Sequence, residues 1–296
     1  MSSKLRPNIP SQLMEAILDR RCVLFAGAGL SRGEVEINGS TREQALPTWS
    51  NLLIVLLDRA AELNHLASAE ASRLRRAVKD KKFLFAAEAI REKMGAREFD
   101  DALEKIFRDP SLRPTHRHQL ITQIPFAAVI TTNYDKLIEN AYARSGTIPP
   151  EYSHDNAPDV ISALSTNRFF ILKAHGEIDR KDTIILSERD YRNMTYKEPG
   201  FKAALNTIFI SKTVLFVGTS FNDPDVNLVL ETVTEAFSAK GTRHFALIPS
   251  GDMGSEETQH WREFFGIQFL SYKASKGHPE VDDFLERLSV EALQDS

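Results

Sequence analysis

With 296 residues, 42% apolar and 26% charged side chains, the chain can bury a full core and has neither a disordered nor a fibrous composition. Its net charge of −4 supplies no global basic field, so direct nucleic-acid binding is not indicated. Cys22, the single cysteine, excludes an internal disulfide and a cysteine zinc ribbon. No apolar run approaches the ~18 residues of a membrane span. Lys4 and Arg6 are not followed by an apolar stretch, so no signal peptide is expected and a soluble, cytoplasmic setting is.

Leu13, Ile17 and Leu18, at helical spacing after Ser11, predict a helix over residues 10–21. Cys22–Ala26 reads as a strand, closed by Gly27-Ala28-Gly29-Leu30-Ser31, and the polar residues 32–47 read as a loop. Residues 48–123 are helical in character, with Leu52, Leu53, Leu56 and Leu57 on one helix, three more over 63–78, 83–93 and 99–107, and a short one at 118–124. This block is expected to be a helical insertion or cap within a single domain spanning 1–296. His116 and His118 read as a solvated helix start.

Further apolar runs follow at 126–130, 169–173, 213–217, 245–248 and 267–270, with a short strand expected at 183–186. Helices are expected over 136–144, from Asp225, near 256–265 and at the end of the chain. Apolar strands alternating with helices predict an α/β fold, a Rossmann-type doubly wound parallel sheet. Ligands of such sheets bind at the carboxyl ends of strands, so the small and polar clusters after residues 26, 130, 173 and 217 are expected to converge.

Each cluster has two readings. Gly27, Ala28, Gly29 and Ser31 suit a pyrophosphate loop whose amides donate to phosphate, or an ordinary tight turn; Gly33 comes one place too late for the dinucleotide fingerprint. Asn133, between Thr132 and Tyr134, can hold a ribose hydroxyl or a water, or can bond its own backbone. Asp135 suits a helix cap or the orientation of a neighbouring loop. His175, before Gly176, can act as a general base or be a satisfied core histidine. Gly218, Thr219 and Ser220 suit ribose or phosphate contacts, or the capping of the next helix, for which Asp223 and Asp225 are further candidates. The other histidines have no metal-ligand spacing, and no metal site is expected.

Taken in order, the strand-end GAGxS, TTNxD, xHG and GTSxxD resemble the sirtuin superfamily over residues 20–35 and 125–290. Two departures matter. One cysteine cannot supply the four-cysteine zinc module of sirtuin deacylases, and residues 46–49 run into helices instead of a glycine-rich cofactor loop. With Leu186-Ser187-Glu188-Arg189-Asp190-Tyr191, these resemble the zinc-free sirtuin-like branch of bacterial antiphage systems.

That resemblance implies an NAD⁺ hydrolase releasing nicotinamide and ADP-ribose. NAD is the substrate; Asn133 orients the ribose hydroxyls or water, and His175 accepts a proton. Gly27, Ala28, Gly29, Ser31, Gly218, Thr219 and Ser220 hold the phosphates and adenosine ribose, with Thr132 and Asp135 beside them. It further implies a homo-oligomer and a separately encoded partner, a HerA-like ATPase ring or an Argonaute-type protein. The alternatives are an NAD-dependent ADP-ribosyltransferase or deacylase, and a non-catalytic NAD or ADP-ribose sensor.

Overall fold

The computed structural model describes residues 6–37, 39–221, 230 and 244–294. In chain order, α1 (Ser11–Leu18) enters β1 (Cys22–Ala26), followed by a hairpin of β2 (Arg32–Ile37) and β3 (Ser40–Ala45). Helices α2 (Trp49–Glu62), α3 (Ser68–Lys79), α4 (Phe83–Met94), α5 (Ala96–Phe107) and α6 (His116–Ile121) lead to β4 (Ala128–Thr131) and α7 (Leu137–Arg144). Then come β5 (Glu151–Ser153), α8 (Ala157–Ser165), β6 (Ile171–Lys173), α9 (Glu188–Lys197), α10 (Pro199–Ser211) and β7 (Thr213–Val217). The chain ends in β8 (His244–Pro249), α11 (Ser255–Phe265), β9 (Ile267–Tyr272) and α12 (Pro279–Gln294).

Seven strands form one sheet in the order β5-β6-β4-β1-β7-β8-β9, and each neighbouring pair is parallel. Alternation along the strands supplies two cores. Val23, Phe25, Ile130 and Phe216 pack with α2–α5 and α8–α10, whereas Leu24, Val129, Leu215 and Leu247 pack with α1, α6, α7 and α12. The doubly wound expectation holds. From β1 the chain moves to β4 on one side and to β7 on the other, which opens a crevice at their carboxyl ends.

Four readings change. Residues 32–47 are not a plain loop: Ile37 pairs with Ser40 across an Asn38-Gly39 dipeptide, a hairpin signal, and Gly39 has φ 75°. Residues 183–186 are not a strand. They bond to the site loops, with Ile185 N–H donating to the His175 carbonyl at 3.0 Å and Tyr134 Oη donating to the Ile185 carbonyl at 2.7 Å. β5, α8 and α10 lie where no element was expected. The helix from Asp225, with its Asp223 or Asp225 cap, lies outside the described residues. Among the described residues no helix is long and apolar enough to cross a membrane.

His118 is the fourth correction: His116 is exposed, but His118 is fully buried. The Thr115 N–H donates to His118 Nδ1 at 3.1 Å, so that nitrogen carries a lone pair, and Nε2 has no partner among the described residues. Burial, reinforced by the neighbouring Arg117 charge, pushes its pKa down from 6.5 to about 3. Between those pH values the unfolded chain binds a proton that the folded one refuses, so stability falls as pH falls through the window. The expected slope is about 1.4 kcal/mol per pH unit, and His118→Gln should remove it from the pH dependence of chemical denaturation.

Candidate functional site

Two glycine turns sit back to back at the centre of the crevice. The Gly27 N–H donates to the Val217 carbonyl at 3.1 Å and the Gly29 N–H to the Gly218 carbonyl at 2.8 Å. A Cβ at Gly27 would lie 2.6 Å from Gly218 O, and one at Gly218, where φ is +68°, would lie 2.3 Å from Leu30 N. These glycines are required for close approach and, at Gly218, for left-handed backbone. This differs from the expectation that the first turn offers its amides to phosphate. The amides of Gly27, Gly29 and Leu30 already donate to carbonyls within the protein.

The TTN turn is fastened to the same place. Thr131 Oγ1 donates to the Ala26 carbonyl at 2.9 Å and accepts from the Asn133 N–H at 3.1 Å. Asn133 Nδ2 then donates to the Gly27 carbonyl at 3.2 Å and to Ser31 Oγ at 3.1 Å, and Ser31 Oγ donates to Asp135 Oδ2 at 3.1 Å. Both amide hydrogens are therefore occupied, which fixes the flip of the side chain. What Asn133 offers the cavity it lines is its carbonyl oxygen, Oδ1.

Asp135, one residue ahead of the α7 N-cap Lys136, orients the neighbouring loop through Ser31, and its Oδ1 also accepts from the Leu137 N–H at the start of α7 (3.0 Å). Beneath it, buried Lys173 donates to the Asp135 carbonyl at 2.6 Å and pairs with Glu139 at 3.0 Å. Ser31 has no exposed surface. It does not line the cavity, and its hydroxyl holds Asn133.

Above these turns lies a cavity of about 460 Å³, within the roughly 300–1,000 Å³ range of small-molecule sites. Gly27, Ala28 and Gly29 line it after β1, Thr132, Asn133 and Asp135 after β4, and Gly218, Thr219 and Ser220 after β7. Thr219 Oγ1 is buried with no hydrogen-bond partner among the described residues. Trp49 and Leu52 of α2, Phe107 of α5 and Tyr134 contribute apolar side chains to the wall. Phe107 meets the Tyr134 ring edge-on at 5.3 Å, beside Asn133. Asp252 after β8 and Ser275, Lys276 and His278 after β9 contribute polar side chains.

Three of the four clusters thus meet on one cavity, and His175 is not on its wall. Thr131 pairs with Lys173, so Asn133 and His175 each stand two residues beyond the same rung of adjacent strands. The imidazole is 1% exposed, hydrogen-bonded through Nε2 to Tyr191 Oη at 3.0 Å. The 186–191 motif explains that contact. Ser187 caps α9, accepting from the Asp190 N–H, while Asp190 accepts from the Ser187 N–H and pairs with Arg91 of α4. This helix start turns Tyr191 onto the histidine.

The 48–123 helices are expected as a cap, though without Trp49, Leu52 or Phe107 being singled out for the wall; the β9 turn and Arg117 are not foreseen at all. The β9 turn carried a signal, since Ser275-Lys276-Gly277 is another small and polar cluster after an apolar strand. Arg117 carried none, because its partners lie far away in the chain. Among the described residues no group of three His, Cys, Asp or Glu side chains is placed to hold a metal ion.

Residues 127–270 match the SIR2-like domain family. The chain is 29% identical to the NAD(+) hydrolase ThsA of Bacillus cereus over 149 residues, 49% of this chain and 30% of that protein. It is 25% identical to the NAD(+) hydrolase ThsA of Cytobacillus dafuensis over 283 residues, 95% of this chain and 51% of that protein. Defense-associated sirtuin 2 of Bacillus subtilis is 29% identical over 200 residues, 66% of this chain and 19% of that protein. The chain spans about half the length, or less, of these curated relatives. The sirtuin-like resemblance is borne out.

Proposed function

Taking the chain as a sirtuin-like protein similar to the NAD(+) hydrolase ThsA and to Defense-associated sirtuin 2, we propose that it cleaves NAD⁺ between nicotinamide and ribose. One observation carries this reading. Three of the four strand-end turns meet on a single cavity in which the Asn133 carbonyl is fixed by its own amide hydrogens. The pyrophosphate would lie across the two glycine turns, near the Thr219 and Ser220 hydroxyls. Adenosine would extend toward the 275–278 turn, and the nicotinamide end toward Tyr134 and Trp49.

In the reaction the bond from the anomeric carbon to the pyridinium nitrogen breaks, and its electron pair neutralises the ring. Positive charge develops on the sugar. Asn133 Oδ1 accepts from a ribose hydroxyl or from the attacking water and sets the line of attack. The water oxygen bonds to the anomeric carbon, and its proton passes to a base, assigned to His175. Nicotinamide and ADP-ribose leave.

A cytoplasmic enzyme that consumed NAD⁺ without restraint would harm its host, so the reading includes a gate in a partner chain or in self-assembly. A HerA-like ATPase ring is the proposed partner, with an Argonaute-type protein as the alternative. The helical block over 48–123 is the proposed contact surface or lid; the cavity-lining Trp49, Leu52 and Phe107 support the lid. The burial of His175 favours one competing reading, a module that binds NAD⁺ or ADP-ribose without turnover.

Chromatography of NAD⁺ incubated with the purified chain, with and without the products of neighbouring genes, separates these readings. Equal nicotinamide and ADP-ribose from NAD⁺ alone are expected. NAD⁺ that binds yet survives in both samples indicates the binding module, and nicotinamide release that needs a protein acceptor indicates a transferase.

A further inference from the structure

Arg117 is 2% exposed, and a guanidinium is buried only where its donors and charge are answered. Its Nε donates to both Asp282 oxygens at 3.2 and 3.1 Å, and Nη2 donates to Asp282 Oδ2 at 2.9 Å. The same Nη2 reaches the carbonyls of Gly277 at 2.5 Å and His278 at 2.7 Å. On the opposite side Nη1 donates to the Gly29 carbonyl at 3.1 Å. One planar fork therefore joins the first glycine turn to the turn that opens α12, and Gly29, Arg117, Gly277 and His278 all line the cavity.

We infer that Arg117 is a positioning residue that sets the spacing between the two turns gripping the phosphate and adenosine part of the nucleotide. The inference rests on the NAD⁺ reading above and adds a residue and a division of labour to it. The carbonyl oxygens of Gly29, Gly277 and His278, three residues that line the cavity, would repel a pyrophosphate if left facing it, and Arg117 engages all three. Asp282 balances the charge, so they are held without a naked cation. Asn133, by contrast, is held by Gly27 and Ser31. The inference therefore assigns Arg117 to nucleotide affinity and not to the chemical step.

The test measures kcat, KM for NAD⁺, ADP-ribose affinity by calorimetry and melting temperature for the full chain and its variants. Arg117→Lys keeps the charge for Asp282, but a single ammonium cannot span to Gly29. It is expected to weaken ADP-ribose binding and raise KM about tenfold, the loss of roughly one charge-assisted hydrogen bond, with kcat within about threefold. Asp282→Asn, a milder change that serves if Arg117→Lys fails to fold, is expected to give the same split at about threefold. Arg287→Gln on the same helix, which loses contacts to Asp283 and the Pro7 carbonyl, should lower the melting temperature and leave affinity unchanged. A drop in melting temperature with unchanged affinity in the Arg117 and Asp282 variants would reduce Arg117 to a packing staple. A fall in kcat with unchanged affinity also overturns the inference. If the unmodified chain binds neither NAD⁺ nor ADP-ribose, the parent reading fails and takes this one with it.

Discussion

Asn133→Ala is expected to lower nicotinamide release by roughly 10²–10³-fold, or about 3–4 kcal/mol of transition-state stabilisation, while ADP-ribose still binds. The effect should be large because Oδ1 is fixed before substrate arrives. Its orientation is set by two donations, to the Gly27 carbonyl and Ser31 Oγ, so no reorganisation accompanies the reaction. Truncation to alanine also strips the Gly27 carbonyl and the Ser31 hydroxyl of a donor, at a cost of about 1–3 kcal/mol of stability. Steady-state kinetics should therefore be read beside a melting curve. A folded variant with parental kcat would remove Asn133 from the chemistry.

His175→Ala is expected to lower kcat by roughly 10²–10⁴-fold, the usual worth of a general base. The histidine's placement makes this the more exacting prediction. Like Asn133 it stands two residues beyond the Thr131–Lys173 rung, on the neighbouring strand's turn, yet its ring lies off the cavity wall and bonds Tyr191. To serve as a base it must reach the cavity by rotation or through a relay, so its orientation matters. Tyr191→Phe keeps the edge-on ring contact, whose centroids are 5.5 Å apart, and deletes only the hydrogen bond. A loss of about tenfold is expected, close to one such bond. If both variants turn over NAD⁺ at the parental rate, His175 is a core histidine and the proton goes elsewhere.

The parts legible in the sequence were those governed by local rules. Cys22–Ala26 and Thr213–Val217 stand out because a central parallel strand is buried on both faces and must be apolar throughout. The turns after them stand out because only small residues allow two backbones to approach as Gly27 and Gly218 do. Contacts that cross the chain were not legible. Arg117 and Asp282 are 165 positions apart, and neither has a neighbour that hints at the other. His118 was misread because its burial comes from α6 packing against α7 and α12, which no local pattern encodes. The 32–47 segment reads as a loop from its polar composition and its Gly33, Gly39 and Pro47, because composition alone does not reveal the pairing of β2 with β3. Residues 183–186 have the apolar character of a strand, but their hydrogen bonds go to His175 and Tyr134 instead of a neighbouring strand.

The most direct test is a crystal structure of the Asn133→Ala chain with NAD⁺, which needs neither turnover nor a trigger. The account predicts intact dinucleotide across the two glycine turns, adenosine beside the 275–278 turn, and the nicotinamide ribose within a side-chain length of position 133. Dinucleotide bound the other way round, or bound elsewhere with this cavity empty, would contradict it.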